Sequence, residues 1–323
     1  ISPLVGRLLD RYGSRRVMTI SLVILAVSFL LRPYMTHLWH WYALSALLGI
    51  GFPGATILPA GRLVALWFPN TTGRMMGLTF VGNNVGGLAL APLSGALVSS
   101  VSWQVGFQVL GLLLFLGALA ALLIVREEPK ALNKTTIQKN SAEVDHRQSV
   151  VDGTLSVTNN PEVFSVRKVL RTRQFYLLAL GLVLASFTYS AVLPQIVPHL
   201  ENEKISLEKA SLLLSLMAAF GAVGKITFGY LAERITVRYA VVLSVALQAL
   251  GLIILINCVY SPILWLFLPV FGISFGGLGT LIPLIVHETY GVRQYGKMMG
   301  LIELPMTVPS VIGPLMVGSI VDI

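Results

Sequence analysis

Charge is scarce in this chain. Among 323 residues there are 23 Lys and Arg and 14 Asp and Glu, which makes 11% charged, against about 25% in soluble domains. A surface wetted on every side needs more, so a soluble globular domain is excluded. Cysteine is almost missing as well. Cys258 stands alone, so no disulfide can form within the chain and no cysteine cluster can bind a metal. The five histidines follow no metal-ligand spacing, and His287-Glu288 lacks the second histidine of a zinc-protease helix. There is no Gly-x-x-x-x-Gly-Lys-Ser/Thr loop, so ATP-driven work within the chain has no phosphate cradle. No cofactor and no metal are expected. Enzymatic chemistry would need several converging nucleophiles or carboxylates in the apolar segments, and only Lys225 and Glu303 lie deep in them, so no enzyme is expected.

What the chain does have is apolar length. Residues of that class make up 55%, in runs of about 20, each able to cross some 30 Å of hydrocarbon as a helix. Backbone groups in lipid must bond within their own segment, so the runs are helices. Ten are expected, near 1–9 (the end of one), 17–33, 42–66, 75–98, 105–125, 174–198, 209–231, 239–258, 262–286 and 298–321. The chain opens inside one run and stops just past another, so one helix is expected to be missing at each end. The net charge of +9 reports orientation rather than a nucleic-acid partner. With the Gly6–Arg16 loop inside, most Lys and Arg fall at inner ends, only Arg32, Lys204 and Lys209 fall outside, and Arg62 and Lys225 lie within runs. That asymmetry is the positive-inside rule. It predicts a multi-pass protein of the plasma membrane in which residues 126–173, polar and without apolar periodicity, form a cytoplasmic linker. Pro161–Arg171 could add a short amphipathic helix on the inner membrane surface.

The two flanking stretches repeat each other. At an offset of 223, Gly6-Arg7-Leu8-Leu9-Asp10-Arg11 with Arg15 returns as Gly229-Tyr230-Leu231-Ala232-Glu233-Arg234 with Arg238. The same offset carries Gly49-Ile50-Gly51-Phe52 onto Gly272-Ile273-Ser274-Phe275, and Gly73-Arg74-Met75-Met76-Gly77 onto Gly296-Lys297-Met298-Met299-Gly300. One register for three matches means a duplicated helical unit. The expected organisation is an N-terminal bundle at 1–125, the linker at 126–173 and a C-terminal bundle at 174–323. Gly82, Gly86, Gly87 and Gly95 in one helix, and Gly272, Gly276, Gly277 and Gly279 in another, are candidates for close helix contact. Pro53, Pro59, Pro92, Pro194, Pro283, Pro305, Pro309 and Pro314 are candidate kinks.

Gly6-Arg7-Leu8-Leu9-Asp10-Arg11-Tyr12-Gly13-Ser14-Arg15-Arg16 resembles the loop signature of the major facilitator superfamily, and Gly229 to Arg238 is similar to its usual second-half echo. Trp67-Phe68-Pro69, Ala91-Pro92-Leu93, Ser102-Trp103-Gln104, Arg171 to Tyr176, Val197-Pro198-His199-Leu200 and Gly313-Pro314 are similar to the monocarboxylate porter and oxalate–formate exchanger branch. The resemblance implies an all-α membrane fold of two pseudo-symmetric six-helix bundles, of which about ten helices are present here. It also implies alternating access to a small organic anion, as a symporter or antiporter coupled to protons or a second anion. A drug or multisolute exporter of the same fold remains open.

Candidate residues follow from burial and charge. Asp10 can sit against a helix N-terminus and the arginines can bridge inner ends, which makes Gly6, Asp10, Arg11, Gly13, Arg15, Arg16, Gly229, Glu233, Arg234 and Arg238 a cytoplasmic gate. Lys225 lies eight residues before Glu233, about 12 Å inside the helix end. A mid-span lysine is unfavourable by about 3 kcal/mol, so it should face a cavity or a partner. In the porters that this chain resembles, an Arg at that place binds the substrate carboxylate, and an Asp stands where this chain has Gly221. Snorkelling or a structural ion pair is the other reading of Lys225. Glu303 is the candidate for proton coupling, or else a partner of Lys225 or Arg62, and Arg62 is expected to snorkel. Asn83 and Asn84 either line the cavity or bond across helices. Tyr189, with Thr188, Ser190 and Gln195, makes a polar stripe, and His199 lies at its outer end.

Overall fold

The computed structural model describes residues 1–127, 169–202, 207–257 and 264–321. Helices account for nearly all of them. The first half comprises α1 (Ser2–Tyr12), α2 (Ser14–Leu31), α3 (Leu38–Ala55), α4 (Ile57–Trp67), α5 (Thr72–Ser100) and α6 (Trp103–Ile124). The second comprises α7 (Arg173–Asn202), α8 (Leu207–Ile235), α9 (Val237–Asn257), α10 (Leu264–Tyr290) and α11 (Tyr295–Val321). Among the described residues nine segments are long and apolar enough to cross a membrane, with α3 and α4 forming a single one. Their outward side chains, such as Ile20, Leu123, Ile253 and Leu315, are exposed and suit lipid rather than water. Residues 128–168, which hold most of the linker and of its expected amphipathic helix, lie outside the described residues.

Local chemistry explains the breaks. The segment made of α3 and α4 divides at Thr56 because Pro59 has no N–H for the Ala55 carbonyl, while Pro53 withholds one from Gly49. The tight turn between α1 and α2 needs a left-handed residue and uses Gly13 (φ 85°). The matching turn between α8 and α9, 223 residues on, also has a positive φ, at Thr236 (φ 76°), an unfavourable place for a β-branched residue. At the other end of α2, the Arg32 guanidinium packs over three rings, 4.6 Å from Trp41, 5.1 Å from Phe107 and 5.5 Å from Phe29. A buried cation there is offset by cation–π attraction.

Within the first half α2 packs against α3 and α6, and within the second α10 packs against α8 and α9 and α7 against α11. Two seams join the halves: α1 against α11, and α5 against α8 and α10. Both seams close on glycine. A Cβ at Gly6 would collide with the Gly296 carbonyl, and one at Gly229 with the Gly73 carbonyl. One turn deeper, Gly300 meets the Ser2 carbonyl and Gly77 the Lys225 carbonyl. Under the offset of 223 each of these contacts is the copy of its counterpart in the other seam. The expectation for α5 needs correction: a Cβ at Gly82, Gly86, Gly87 or Gly95 would meet no other element within 4 Å among the described residues, and the close approaches of α5 are made by Gly73 and Gly77. For α10 the expectation stands, since Gly272 meets the Met217 carbonyl, Gly276 the Gly221 carbonyl and Gly277 the Phe228 ring.

The contrast between the two glycine sets is testable. Gly229→Val overpacks a backbone contact and should lower stability by about 1–3 kcal/mol. Gly82→Ala enters open space and should be neutral or slightly stabilising through helix propensity. Thermal unfolding in detergent, followed by size-exclusion monodispersity, separates the two.

Candidate functional site

The repeated motifs turn out to be the two parts of one clasp, exchanged between the halves. At the end of α1, Asp10 accepts from the backbone N–H groups of Gly296 (3.0 Å) and Lys297 (2.9 Å) in the first turn of α11. At the end of α8, Glu233 accepts from the Arg74 backbone N–H (2.9 Å) in the first turn of α5, and its second oxygen pairs with Arg74 Nε at 2.6 Å. Helix N-termini leave N–H groups without intrahelical partners and carry partial positive charge, so a carboxylate satisfies both needs. Burial pushes the Asp10 carboxyl above its ordinary value, against the pull of those N–H groups and of Arg62 and Lys297. Gly6 and Gly229 admit the close approach that brings each acid within reach.

The remaining gate candidates divide. Arg15 donates through its guanidinium to the Leu122 carbonyl at the end of α6, 2.8 Å from Nε. Its backbone N–H donates to Glu127 at 2.5 Å. Gly13 is required twice, by its φ and because a Cβ would meet the Glu127 carboxylate at 2.6 Å. Arg11 lies over the ring of its neighbour Tyr12, and Arg234 lies over Tyr230 and donates to its hydroxyl. Arg16 and Arg238 are exposed. Glu127 escaped the sequence reading, which placed it in the linker. It also receives Arg62 at 3.1 Å, and Arg62 reaches Ser14 at 3.3 Å, so Arg62 forms an ion pair instead of snorkelling. Trp67 donates to the Arg126 carbonyl at 3.0 Å, fixing the same stretch of chain. The signal was available: Glu127 is among the first acids after an apolar helix, level with the arginine loop.

Deeper in the α5–α8 seam lies Lys225, only 7% exposed. Its ammonium donates to the Phe80 carbonyl at 2.8 Å and to Asn84 Oδ1 at 2.5 Å, while Asn84 Nδ2 donates to the Ala218 carbonyl at 2.6 Å. Asn84 also fills the space beside Gly221, where a Cβ would lie 3.0 Å from its amide nitrogen and 3.7 Å from the Phe275 ring. Tyr189 of α7 packs on that ring with centroids 5.2 Å apart. Lys225, Asn84, Phe275 and Tyr189 thus form one cluster drawn from four helices. Phe275 entered the sequence reading only as part of a repeat. Asn83, one residue along from Asn84, is exposed and is not part of the cluster.

Glu303 is in neither ion pair expected of it, because Lys225 bonds Phe80 and Asn84 and Arg62 bonds Glu127 and Ser14. It sits on α11 beside Ser2 of α1. The offset of 223 maps Ser2 onto Lys225 and Phe80 onto Glu303, so Lys225 and Glu303 occupy one layer of the two seams. Near the end of that seam the buried Tyr295 hydroxyl fills the gap left by Gly61 and has no hydrogen-bond partner among the described residues. Gln195 reaches the Pro314 carbonyl at 3.5 Å and Thr188 bonds its own helix at Leu184. The His199 side chain lies outside the described residues. An apolar cavity lined by Ile196, Leu213, Met217 and Phe267 lies between α7, α8 and α10 and offers no polar group.

The sequence pattern of the Major Facilitator Superfamily matches residues 1–320. The chain belongs to that superfamily. Among curated relatives it is 27% identical over 310 residues to "Monocarboxylate transporter 12" of Mus musculus, spanning 92% of this chain and 64% of that protein. It is 25% identical to an uncharacterised MFS-type transporter, YcxA, of Bacillus subtilis, across 92% and 69% of the two chains. Two solved structures share its fold. The human organic anion transporter MFSD10 superposes with a TM-score of 0.71 at 19% identity, over 98% of this chain and 73% of that one. The proton:xylose symporter XylE superposes with a TM-score of 0.65 at 13% identity, over 97% and 74%. This is an integral, multi-pass member of a superfamily of small-molecule transporters, two pseudo-symmetric helical bundles facing each other.

The clasp yields a prediction for any such member. Losing a carboxylate cap is worth about 0.5–2 kcal/mol, so Asp10→Ala and Glu233→Ala should each loosen one seam. A cysteine placed at Ser2 should then label faster with a thiol reagent applied from the basic-loop side in Asp10→Ala, and Asp10→Asn should fall between Asp10→Ala and the parent. Equal labelling rates in all three would show that the clasp does not hold the seam.

Proposed function

We propose that the protein is a secondary active transporter that moves a small organic anion, most simply a monocarboxylate, by alternating access between its two halves. Lys225 would be the counter-charge of the cargo. The observation that carries this reading is a buried ammonium bonded to two neutral oxygens, Phe80 O and Asn84 Oδ1, with no carboxylate among its hydrogen-bond partners. Lysine has three N–H donors. Two are engaged by neutral acceptors, so its charge is not cancelled locally and an anion gains the Coulomb attraction of the ammonium. The names of the monocarboxylate transporter relative and of MFSD10 agree with an anionic cargo.

The other parts fit around that site. Tyr189 and Phe275 supply an aromatic wall for the carbon end of a small acid, and Asn84 supplies an amide. Glu303, at the same depth in the other seam, is the candidate for the coupled proton, since an unpaired carboxyl in a membrane exchanges a proton as its access to water changes. The paired clasps at Asp10 and Glu233 serve as the cytoplasmic gate, with Arg15 and Arg16 holding the loop at the inner face. The organisation into bundles at 1–125 and 174–323 joined by a cytoplasmic linker at 126–173, and residence in the plasma membrane, belong to the same proposal.

Flux decides it. The full-length protein in proteoliposomes should accumulate at least one of formate, acetate, lactate, pyruvate or oxalate, driven by a pH gradient or by exchange. Lys225→Ala should reduce that uptake about 100-fold or more, and Lys225→Arg should retain part of it. Uptake that survives Lys225→Ala, with Glu303→Gln abolishing transport of a cationic dye instead, would replace this reading with the drug or multisolute exporter.

A further inference from the structure

We infer that Asn84 is a built-in stand-in for the cargo: it competes with the substrate carboxylate for Lys225, so that binding of the anion unties α5 from α8. The inference rests on the reading of Lys225 as the counter-charge. It adds a role for a residue of the opposite half, which contributes to the site by leaving it.

The geometry is specific. Asn84 Oδ1 accepts from Lys225 Nζ at 2.5 Å, and the same amide donates through Nδ2 to Ala218 O at 2.6 Å. One side chain of α5 therefore grips two successive turns of α8, residues 218 and 225, across the boundary between the halves. Beside it, Lys225 also holds the Phe80 carbonyl of α5 at 2.8 Å. The amide seats because Gly221 has no side chain; a Cβ there would lie 3.0 Å from Asn84 Nδ2. A neutral amide oxygen and a carboxylate oxygen ask for the same N–H, and hydrogen bonds in which both partners are charged are the stronger. An arriving anion therefore takes the place of Oδ1. Once it does, the α5–α8 tie in this layer falls to the Nδ2 bond and the Phe80 carbonyl bond. Binding energy is in this way converted into loosening of the seam, as a ligand must do if it is to shift an equilibrium between two conformations. The amide is suited to this task where a carboxylate is not, because Asp at position 84 would form an ion pair that a monocarboxylate could not displace.

The test compares Asn84→Ala and Asn84→Asp with the parent in proteoliposomes, using whichever acid of the panel above the parent accumulates. Removing the competitor in Asn84→Ala should lower the half-saturating concentration by about threefold to tenfold without raising the maximal rate. Asn84→Asp should raise it by about tenfold or more at pH 7.5, with recovery on acidification as the new carboxyl takes up a proton and regains the character of an amide. Where Asn84→Ala does not yield monodisperse protein, Asn84→Ser replaces it, since its hydroxyl is too short to reach Lys225. A merely structural Asn84 predicts loss of rate at unchanged half-saturation, and either that outcome or parent-like transport by Asn84→Asp at pH 7.5 overturns the inference. The underlying reading fails separately: there, Lys225→Ala transports as the parent does, or no acid of the panel accumulates.

Discussion

The first turns of α5 and α11 need acceptors that their own segments do not provide, and each obtains a carboxylate from the opposite half. Asp10 serves Gly296 and Lys297, and Glu233 serves Arg74. Everything else in the seams is arranged so that these acids arrive. Gly6 against Gly296 and Gly229 against Gly73 remove the side chains that would hold the helices apart. The clasp is also reversible in a way that apolar packing is not. When a seam opens at the membrane surface, water can take over both the N–H groups and the carboxylate, so the net difference between closed and open is modest. A permanent contact would need burial that water cannot replace.

The same symmetry explains where the charges sit. Ser2 and Lys225 are copies of each other, as are Phe80 and Glu303, so each seam has a polar position facing its partner at one depth. In one seam the cation is on α8 and its partner supplies a backbone carbonyl; in the other the acid is on α11 and its partner supplies a hydroxyl. Had Lys225 and Glu303 shared a seam, they would have paired, and neither would be free for the proposed cargo or proton. Duplication followed by divergence at one layer keeps them apart, each with neutral neighbours.

Much of this was legible in the chain itself. The repeats of Gly6-Asp10 and of Gly73-Gly77 disclosed a duplicated bundle, because backbone contact demands glycine and a helix N-terminus demands an acid wherever they recur. That the two repeats touch each other crosswise was not legible, since spacing along a chain does not say which copies meet. The same limit explains the errors. Gly82, Gly86 and Gly87 have the composition of a contact stripe but face open space. Asn83 and Asn84 are indistinguishable by type, and only the rotation of α5 turns Asn84 onto Lys225. Arg62 looked like a snorkelling cation because its partner Glu127 comes 65 residues later, beyond two further helices.

The two clasps differ in detail, and the magnitudes bear on the proposed alternating access. Glu233 reaches one methylene further than Asp10, far enough to add the Arg74 side chain to the backbone contact. An ion pair suggests a stronger seam, yet the Arg74 side chain is 47% exposed. Pairs that open to solvent contribute about 0–1 kcal/mol, less in salt. Asp10, by contrast, caps two N–H groups where Glu233 caps one. The extra ion pair and the missing cap bond are of similar size, so the two clasps are nearly balanced despite their different chemistry. Two modest clasps at one face let the proposed contact at Lys225, worth a few kcal/mol, shift the balance between closed and open, and that is the order of energy that a single small anion can supply.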